Sequence, residues 1–372
     1  MTFNREQIFD PMRTTGTQTG IITGMMDRVR LWVFVRFFAM IIAINMGLRT
    51  RERMSHNNGI AAKGKFVMDP DPEIPDHPFF EKGKEFPCQI RHAAATFYDD
   101  AMNAIRSIAI KLSDQQYKSP FDLEMNTGSI SLFWNARSFW EFALHRKQQW
   151  GVEYQEYYKQ YPIGVKGAQL ALRRNPTSFT NLKYYAKTPF NFIGSDGVQR
   201  YAKYRVIPFD DVEETGINKG KDLLEPENQR VIPGEKRTRN YLKEEFQDRL
   251  KVQNVKYKLQ MQIRDSKPDQ DPIIFNCCVD WNEKEFPWRT LGVMEIEEAL
   301  SWDESNLLTF SINNMPKSLG ILPAKSVYDY NSLNYMRSKS EIAKKARLFA
   351  YKLRGMPEEI PDNDNRNSST IV

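Results

Sequence analysis

A strict alternation of apolar and polar residues along residues 255–263 constrains the fold more than any other feature of the chain. Val255, Tyr257, Leu259, Met261 and Ile263 each follow or precede a polar neighbour. Successive side chains of a β-strand point to opposite faces, so a period of two predicts a strand with one buried side. Such strands are typical of antiparallel sheets.

Similar extended runs lie in two blocks, on either side of a helical region with apolar residues at three- to four-residue spacing. The predicted strands are KGKFVM, QIRHAAATF, RSIAIKL, FDLEMN and SISLFW in the first block, and RYAKYRVIPF, VKYKLQMQI, PIIFNCCVDW and TLGVMEIE in the second. The chain turns helical again in EIAKKARLFAYKLRGM. We therefore expect an α+β domain built on a closed antiparallel β-barrel, with a helical insertion and C-terminal helices.

The N-terminal quarter contains an apolar run, DRVRLWVFVRFFAMIIAINMGLRTR, that Arg36 interrupts. The run is shorter than the ~20 apolar residues of a spanning helix, and an arginine at the bilayer centre is costly. Three interpretations stay open: a helix covered by protein, an interfacial membrane helix, and a true span. Residues 27–48 are thus a candidate contact surface for a membrane or a membrane-protein partner.

The predicted organisation has four parts. Residues 1–24 form a flexible arm, residues 25–50 an apolar or amphipathic N-terminal helix, residues 51–355 the barrel domain, and residues 356–372 a disordered tail.

Charge and cysteine content exclude some classes of protein. The chain carries 53 basic and 47 acidic residues, interleaved along its length, which argues against a nucleic-acid partner. Cys88, Cys277 and Cys278 match neither a disulfide framework nor a zinc pattern. They indicate an intracellular reducing compartment, with membrane association left open by residues 27–48.

Several motifs, in order, resemble those of the catalase superfamily, and within it the catalase-related allene oxide synthase domain of corals. They are RMSHNNGIAAKG, FPCQIRHAAATFYDDAMNAIRSIAIKL, FDLEMNTGSISLFWN and LTFSINNMPKSLGILPAKSVYDYNSLNYMR. The resemblance covers roughly residues 48–337. It implies a catalase-like barrel, a haem cofactor, and a peroxide or fatty acid hydroperoxide as substrate.

The resemblance places His56 and Asn126 on the distal side of the haem. There a histidine can move a proton between the two oxygens of a hydroperoxide while an amide orients the O–O bond. Ser55 stands where true catalases carry valine and the coral enzyme carries threonine, so a hydroxyl is kept beside the imidazole. This favours a fatty acid hydroperoxide over hydrogen peroxide.

Other positions carried over from the family concern the haem itself. Arg53 and Arg91 match arginines that would hold the haem propionates, and Phe139 falls where an aromatic ring stacks on a pyrrole. His92 is a second candidate for the distal histidine, but its neighbours lack the two spaced glycines, Gly59 and Gly64, that follow His56.

The proximal ligand has two alternative assignments. Following the coral pattern without gaps places its arginine on Arg337 and its tyrosine position on Glu341. The run RLFAY instead resembles the proximal segment of large catalases, with Arg347 four residues before Tyr351. Ten helical residues rise by about 15 Å, so both cannot lie beneath one iron.

Two functions follow from these alternatives. With Tyr351 as the metal ligand, the chain is a haem enzyme of allene oxide synthase or hydroperoxide lyase type, or a catalase-like enzyme. With Glu341 in that position, it is a haem-free catalase-fold pseudoenzyme that serves as a structural or binding subunit of an assembly, with a membrane assembly included.

Overall fold

The computed structural model describes residues 21–53, 55–95, 99–144, 155–218, 231–232 and 234–355. The predicted tail 356–372 and residues 1–20 of the predicted arm lie outside these ranges.

The described residues form nine strands and eight α-helices. The strands are β1 Gly59–Met68, β2 Glu85–Ala94, β3 Ala104–Lys111, β4 Asp122–Thr127, β5 Leu172–Arg173, β6 Tyr184–Ile193, β7 Gln199–Pro208, β8 Val255–Asp265 and β9 Arg289–Ala299. The α-helices are α1 Ile21–Ile42, α2 Ala136–Leu144, α3 Gln155–Gln160, α4 Ile163–Ala171, α5 Tyr241–Val252, α6 Trp302–Leu307, α7 Ser332–Ser338 and α8 Glu341–Arg354. A π-helix, Ala43–Thr50, continues α1, and 3₁₀ turns lie at Pro78–Phe80, Phe179–Asn181, Pro272–Phe275 and Lys317–Leu319.

Eight of the strands close into an antiparallel barrel in the order β1–β9–β8–β7–β6–β4–β3–β2, because β2 pairs with both β3 and β1. The two-residue β5 attaches to β3 outside this ring. In β8 the alternation holds as predicted: Val255, Tyr257, Leu259 and Met261 are buried, and their side chains join the main apolar core. The predicted closed antiparallel barrel is confirmed.

Two predicted strands are wrong. SISLFW, at residues 129–134, has an irregular backbone between β4 and α2. PIIFNCCVDW forms the 3₁₀ turn Pro272–Phe275 followed by further turns. The Asp271 carboxylate accepts a hydrogen bond from Ile273 N–H at 3.0 Å, and the Asn276 side chain accepts from Cys278 N–H at 2.8 Å. Such local side-chain bonds compete with a strand ladder.

Strand β6, in contrast, is present in the structure but is not predicted from the sequence pattern. Its pairing with β7 shifts register between Ala186 and Phe190, around Pro189. Proline cannot donate to the ladder and is found at such irregularities. Because of this irregularity, the sequence of β6 does not show a regular alternation of apolar and polar residues.

The N-terminal helix begins at Ile21, four residues before the predicted boundary. Leu31 and Val35 on its buried face join an apolar cluster with residues of α2 and α7. Gly47, in the π-helix, lies against α8 so closely that a Cβ there would come within 2.9 Å of the Arg347 backbone nitrogen. The N-terminal helix is therefore packed on the domain rather than separate from it.

Candidate active site

The predicted distal residues lie together. The Ser55 hydroxyl is 2.7 Å from Nδ1 of His56, and Nε2 of His56 is 3.3 Å from Oδ1 of Asn126. With the amide oxygen facing the ring, Nε2 carries the proton and Nδ1 accepts from the Ser55 hydroxyl. The three side chains thus form one hydrogen-bonded chain.

Arg91 fixes the backbone around His56 through hydrogen bonds. The guanidinium donates to the His56 carbonyl at 2.8 Å and to the Asn57 carbonyl at 2.9 Å, and the His56 N–H donates to Ala95 O at 3.1 Å. These bonds fix a segment in which His56 has a φ of 63°, in the left-handed region. Arg91 therefore positions the imidazole in this structure.

The pKa of His56 is lowered to about 4. Burial among protein atoms is the main cause, the positive charge of Arg91 adds to it, and the hydrogen bond to Asn126 opposes it. At neutral pH the imidazole is consequently neutral, with one nitrogen able to donate and the other able to accept.

The site lies on the outer face of the barrel, beneath α7 and α8. On β4 the residues Leu123 and Met125 point into the core, so Glu124 and Asn126 share the opposite face. Glu124 was not identified from sequence, although its spacing of two from Asn126 was a usable signal.

Glu124 connects this face of the barrel to the two C-terminal helices. Its carboxylate is 2.6 Å from Arg337 of α7 and 3.7 Å from Lys344 of α8. Burial opposes ionisation of the carboxylate, but the positive charges of Lys344 and Arg337 outweigh it and lower the pKa of Glu124 to about 2. The carboxylate is therefore charged at any pH near neutrality.

Three arginines form a second cluster, Arg53, Arg91 and Arg347. Arg53 and Arg347 both donate to the Asn306 carbonyl, at 3.3 and 2.8 Å. Burial and the neighbouring arginine charges lower the pKa of Arg91 to about 9 and hold that of Arg53 well below its usual value. Burial and mutual repulsion thus make each added positive charge unfavourable here.

This arginine cluster has unused hydrogen-bonding capacity. Arg53 Nε, Arg91 Nε and one terminal nitrogen of Arg347 are buried without a hydrogen-bond partner. Within the described ranges none of the three forms an ion pair with a carboxylate. Buried donors of this kind fit an anionic group that accepts from several of them.

The two proximal candidates lie in different surroundings. The Glu341 carboxylate accepts from the Ser311 hydroxyl at 2.5 Å and is 3.9 Å from Lys344. Tyr351 is buried, with the Arg347 guanidinium 5.0 Å from its ring centre. Because Arg347 already lies with Arg53 in the arginine cluster, Tyr351 falls one turn further along α8.

Three other predicted positions have protein neighbours. Phe139 packs edge-on against Phe133 and against Phe38 of α1, with ring centres 4.8 and 5.8 Å away. A Cβ on Gly59 would come within 2.3 Å of the His92 carbonyl, and one on Gly64 within 2.0 Å of the Glu295 carbonyl. Both glycines are thus required by neighbouring strands.

His92, the second candidate for the distal histidine, lies inside the barrel. Its ring nitrogens are 3.0 Å from the Tyr257 hydroxyl and 3.3 Å from the Tyr184 hydroxyl, and its ring stacks on Phe179. It is fully buried and does not join the cluster around His56.

Comparisons with known proteins show what the chain is similar to. A model of the Catalase family matches residues 42–325. The chain is 35% identical over 306 residues to the allene oxide synthase-lipoxygenase protein of Plexaura homomalla, covering 81% of this chain and 28% of that protein. It is 28% identical over 300 residues to linolenate 9R-lipoxygenase of Nostoc sp., covering 77% and 37%.

A solved bacterial catalase shares the fold, with a TM-score of 0.59 at 14% identity over 82% of this chain and 57% of that one. The chain spans less than two fifths of the length of the coral and cyanobacterial relatives.

The described residues offer contacts for the propionates and the distal side of a haem, but they leave little room for its flat ring. The arginine cluster offers donors for propionates, and His56 with Asn126 offers the distal pair. A flat ring between two protein layers, however, needs about 3.5–4 Å on each side. Arg337 instead touches β4 directly, at 2.6 Å from the Glu124 carboxylate and 3.5 Å from its carbonyl oxygen. In this arrangement no flat ring fits between Arg337 and β4.

Proposed function

The chain belongs to the catalase family, and on that premise we propose that it binds a fatty acid hydroperoxide at His56 and Asn126 as a haem-free member of the family. The names of the coral and cyanobacterial relatives support the ligand class, since both include a lipoxygenase and the second names linolenate, an unsaturated fatty acid.

The hydrogen-bonded chain Ser55–His56–Asn126 carries this proposal. A hydroperoxide group has one O–H donor and two acceptor oxygens. A neutral imidazole and an amide side by side supply both a donor and an acceptor to such a group. The lowered pKa of His56 keeps the imidazole neutral, and Ser55 and Arg91 hold its orientation.

The arginine cluster supplies the second contact of the proposed ligand. A fatty acid ends in a carboxylate, which planar guanidinium groups bind well. The free nitrogens of Arg53, Arg91 and Arg347 are suited to that carboxylate. Binding of a carboxylate there also offsets the repulsion among the three buried charges.

A haem enzyme that converts the same hydroperoxide is the second candidate. The observation in its favour is the same set of free arginine nitrogens, because haem propionates are carboxylates too. The direct contact of Arg337 with Glu124 favours the haem-free protein. Spectra recorded with added haem separate the two candidates.

The proposal is tested by titrating the full-length protein with a polyunsaturated fatty acid hydroperoxide, followed by tryptophan fluorescence. The unoxidised fatty acid and the hydroperoxide methyl ester serve as reference ligands. We expect both to bind about tenfold more weakly, because each lacks one polar contact worth on the order of 1.4 kcal/mol.

Single substitutions test which side chains contact the hydroperoxide. His56→Ala should weaken binding of the hydroperoxide about tenfold and leave that of the unoxidised acid unchanged. His77→Ala is the matched control, because His77, in the connection between β1 and β2, bonds Ser318, whereas His56 precedes the opposite end of β1. Equal binding of hydroperoxide and unoxidised acid by the parent protein would refute the proposal.

A further inference from the structure

The N-terminal helix presents an apolar face to solvent. Large hydrophobic side chains recur there at three- to four-residue spacing and are 44–63% exposed: Met25, Met26, Val29, Trp32, Val33, Phe37, Met40, Ile44 and Leu48. The opposite side of the same helix holds the buried residues Leu31, Val35, Ala39 and Ala43. The exposed stripe thus follows one side of α1 and its π-helical continuation.

Helix α8 extends this surface. Ile342, Phe349 and Leu353 are 59%, 58% and 68% exposed. The Arg354 guanidinium donates to Leu48 O at 2.8 Å and to Arg49 O at 2.9 Å, which brings the ends of the two helices together. We call the exposed hydrophobic side chains of both helices the apolar face.

Hydrogen bonds and close backbone packing hold the π-helix and α8 together. The Arg51 guanidinium donates to Arg354 O at 2.9 Å and to Gly355 O at 2.6 Å, and Gly47 lies directly on the backbone of α8. Exposed apolar side chains of this number on two adjoining helices mark an interaction site.

The charges beside the apolar face are predominantly positive. Residues 24–50 contain four arginines and one aspartate, and that aspartate, Asp27, is buried beside Arg30. On α8 the exposed charged residues are Lys345, Lys352 and Arg354, and the one acidic side chain of this helix, Glu341, is 43% exposed and lies 3.9 Å from Lys344. The Arg36 guanidinium carbon lies 4.0 Å from the centre of the Trp32 ring. A charged and an aromatic side chain are thus in contact in the middle of the exposed stripe. Basic and aromatic residues around an apolar stripe are typical of helices that lie in an anionic membrane surface.

The same helix passes the length and composition test for crossing a membrane over Gly24–Thr50. Its packing argues for a different arrangement. Phe34 and Phe38 contact Trp140 of α2 at 5.6 and 6.0 Å, and Leu31 and Val35 join the cluster formed with α2 and α7. A helix attached to the barrel domain along one side cannot be surrounded by lipid.

We propose that the apolar face docks the protein onto the surface of an anionic lipid bilayer, with α1 lying in the interface. The inference is independent of the proposed ligand, but the two are compatible in space. Helix α8 carries Arg347 and Tyr351 on its buried side and Phe349 and Leu353 on its exposed side. Because a helix is about 10 Å wide, only the width of α8 would separate the bilayer surface from the arginine cluster on the buried side of this helix.

The test is co-sedimentation of the full-length protein with vesicles of phosphatidylcholine containing one third phosphatidylserine, and with vesicles of phosphatidylcholine alone. We expect binding to the mixed vesicles that is several-fold tighter than to the neutral ones and that weakens as salt is raised. Equal binding to both vesicle types would overturn the assignment to anionic lipid.

The double variant Trp32→Glu, Phe37→Glu changes two exposed side chains and should reduce vesicle binding at least tenfold. Val252→Glu is the matched control, because Val252 is 86% exposed on α5, outside the apolar face, and its replacement should have no effect. Circular dichroism and the melting temperature show whether each variant is folded.

Analytical ultracentrifugation without lipid distinguishes a bilayer from a second copy of the chain. A dimer that Trp32→Glu, Phe37→Glu abolishes, in a protein that binds neither vesicle type, would overturn the proposal and assign the apolar face to self-association. Vesicle binding by the double variant as tight as that of the parent would overturn it as well.

Discussion

His56 combines an unfavourable backbone conformation with an unfavourable environment for charge. Its left-handed φ of 63° costs a non-glycine residue on the order of 1 kcal/mol, which the hydrogen bonds from Arg91 and to Ala95 offset. Burial keeps its ring neutral, with a pKa of about 4. Both features favour one orientation of a neutral imidazole.

This depressed pKa predicts a pH-dependent stability. In the unfolded chain the ring titrates near pH 6.5, so between about pH 6.5 and 4 the unfolded state binds more protons than the folded state. The free energy of unfolding therefore falls as the pH is lowered through this window. From pH 7 to 4.5 the contribution of His56 is about 2 kcal/mol.

Urea unfolding of the parent and of His56→Gln at the two pH values measures this contribution. His77 and His92 also have lowered pKa values, and they titrate in both proteins, so only the difference between parent and variant reports on His56. The variant should lose about 2 kcal/mol less than the parent on acidification. Identical losses would show that the ring is not held neutral by the fold.

At the scale of elements, α8 connects the apolar face to the site. It contacts the π-helix at Gly47, meets Glu124 through Lys344, and shares the Asn306 carbonyl with Arg53 through Arg347. The position of this helix therefore determines how close α7 and α8 lie to β4.

Replacing Gly47 tests that packing. In Gly47→Ala the new Cβ would lie 2.9 Å from the Arg347 backbone nitrogen, so the two helices must move apart. Overpacking of this kind costs about 1–3 kcal/mol, and alanine gains ~1 kcal/mol over glycine in a helix, so we expect the free energy of unfolding to fall by up to about 2 kcal/mol. Thermal and urea unfolding give the measurement.

Gly320→Ala is the control for this substitution. A Cβ at Gly320 would have its nearest neighbour at 3.5 Å, an ordinary contact, and the residue has a φ of −74°. We expect no loss of stability there. A Gly47→Ala protein as stable as the Gly320→Ala protein would mean that α8 is free to shift away from the π-helix.

At the scale of the whole molecule, sequence patterning predicts the barrel well and the proximal side of the site poorly. Strands with a regular period of two, such as β8, are predicted because their faces differ in polarity. Strand β6 is missed because Pro189 interrupts it, and PIIFNCCVDW is mistaken for a strand because local Asp and Asn bonds override its apolar composition.

The distal residues could be predicted because Ser55, His56 and Asn126 stand in short motifs. Glu124 was missed, although it lies two residues before Asn126 on the same strand face. Lys344 could not be predicted, since it acts through an ion-pair network that joins β4 to two helices far away in the chain. The choice between Glu341 and Tyr351 likewise depends on where α7 ends and α8 begins, a break at Lys339 and Ser340 that periodicity does not reveal. That choice stays a prediction.

The central claim, a catalase fold whose site closes without a tyrosine-bound haem, is tested most directly by the absorption spectrum of the full-length protein after addition of excess haem and removal of the unbound fraction. The account predicts no Soret band beyond that of free haem, and the same spectrum for the parent and for Tyr351→Phe. A stable Soret band in the parent that Tyr351→Phe shifts or abolishes would contradict it and establish Tyr351 as the haem ligand.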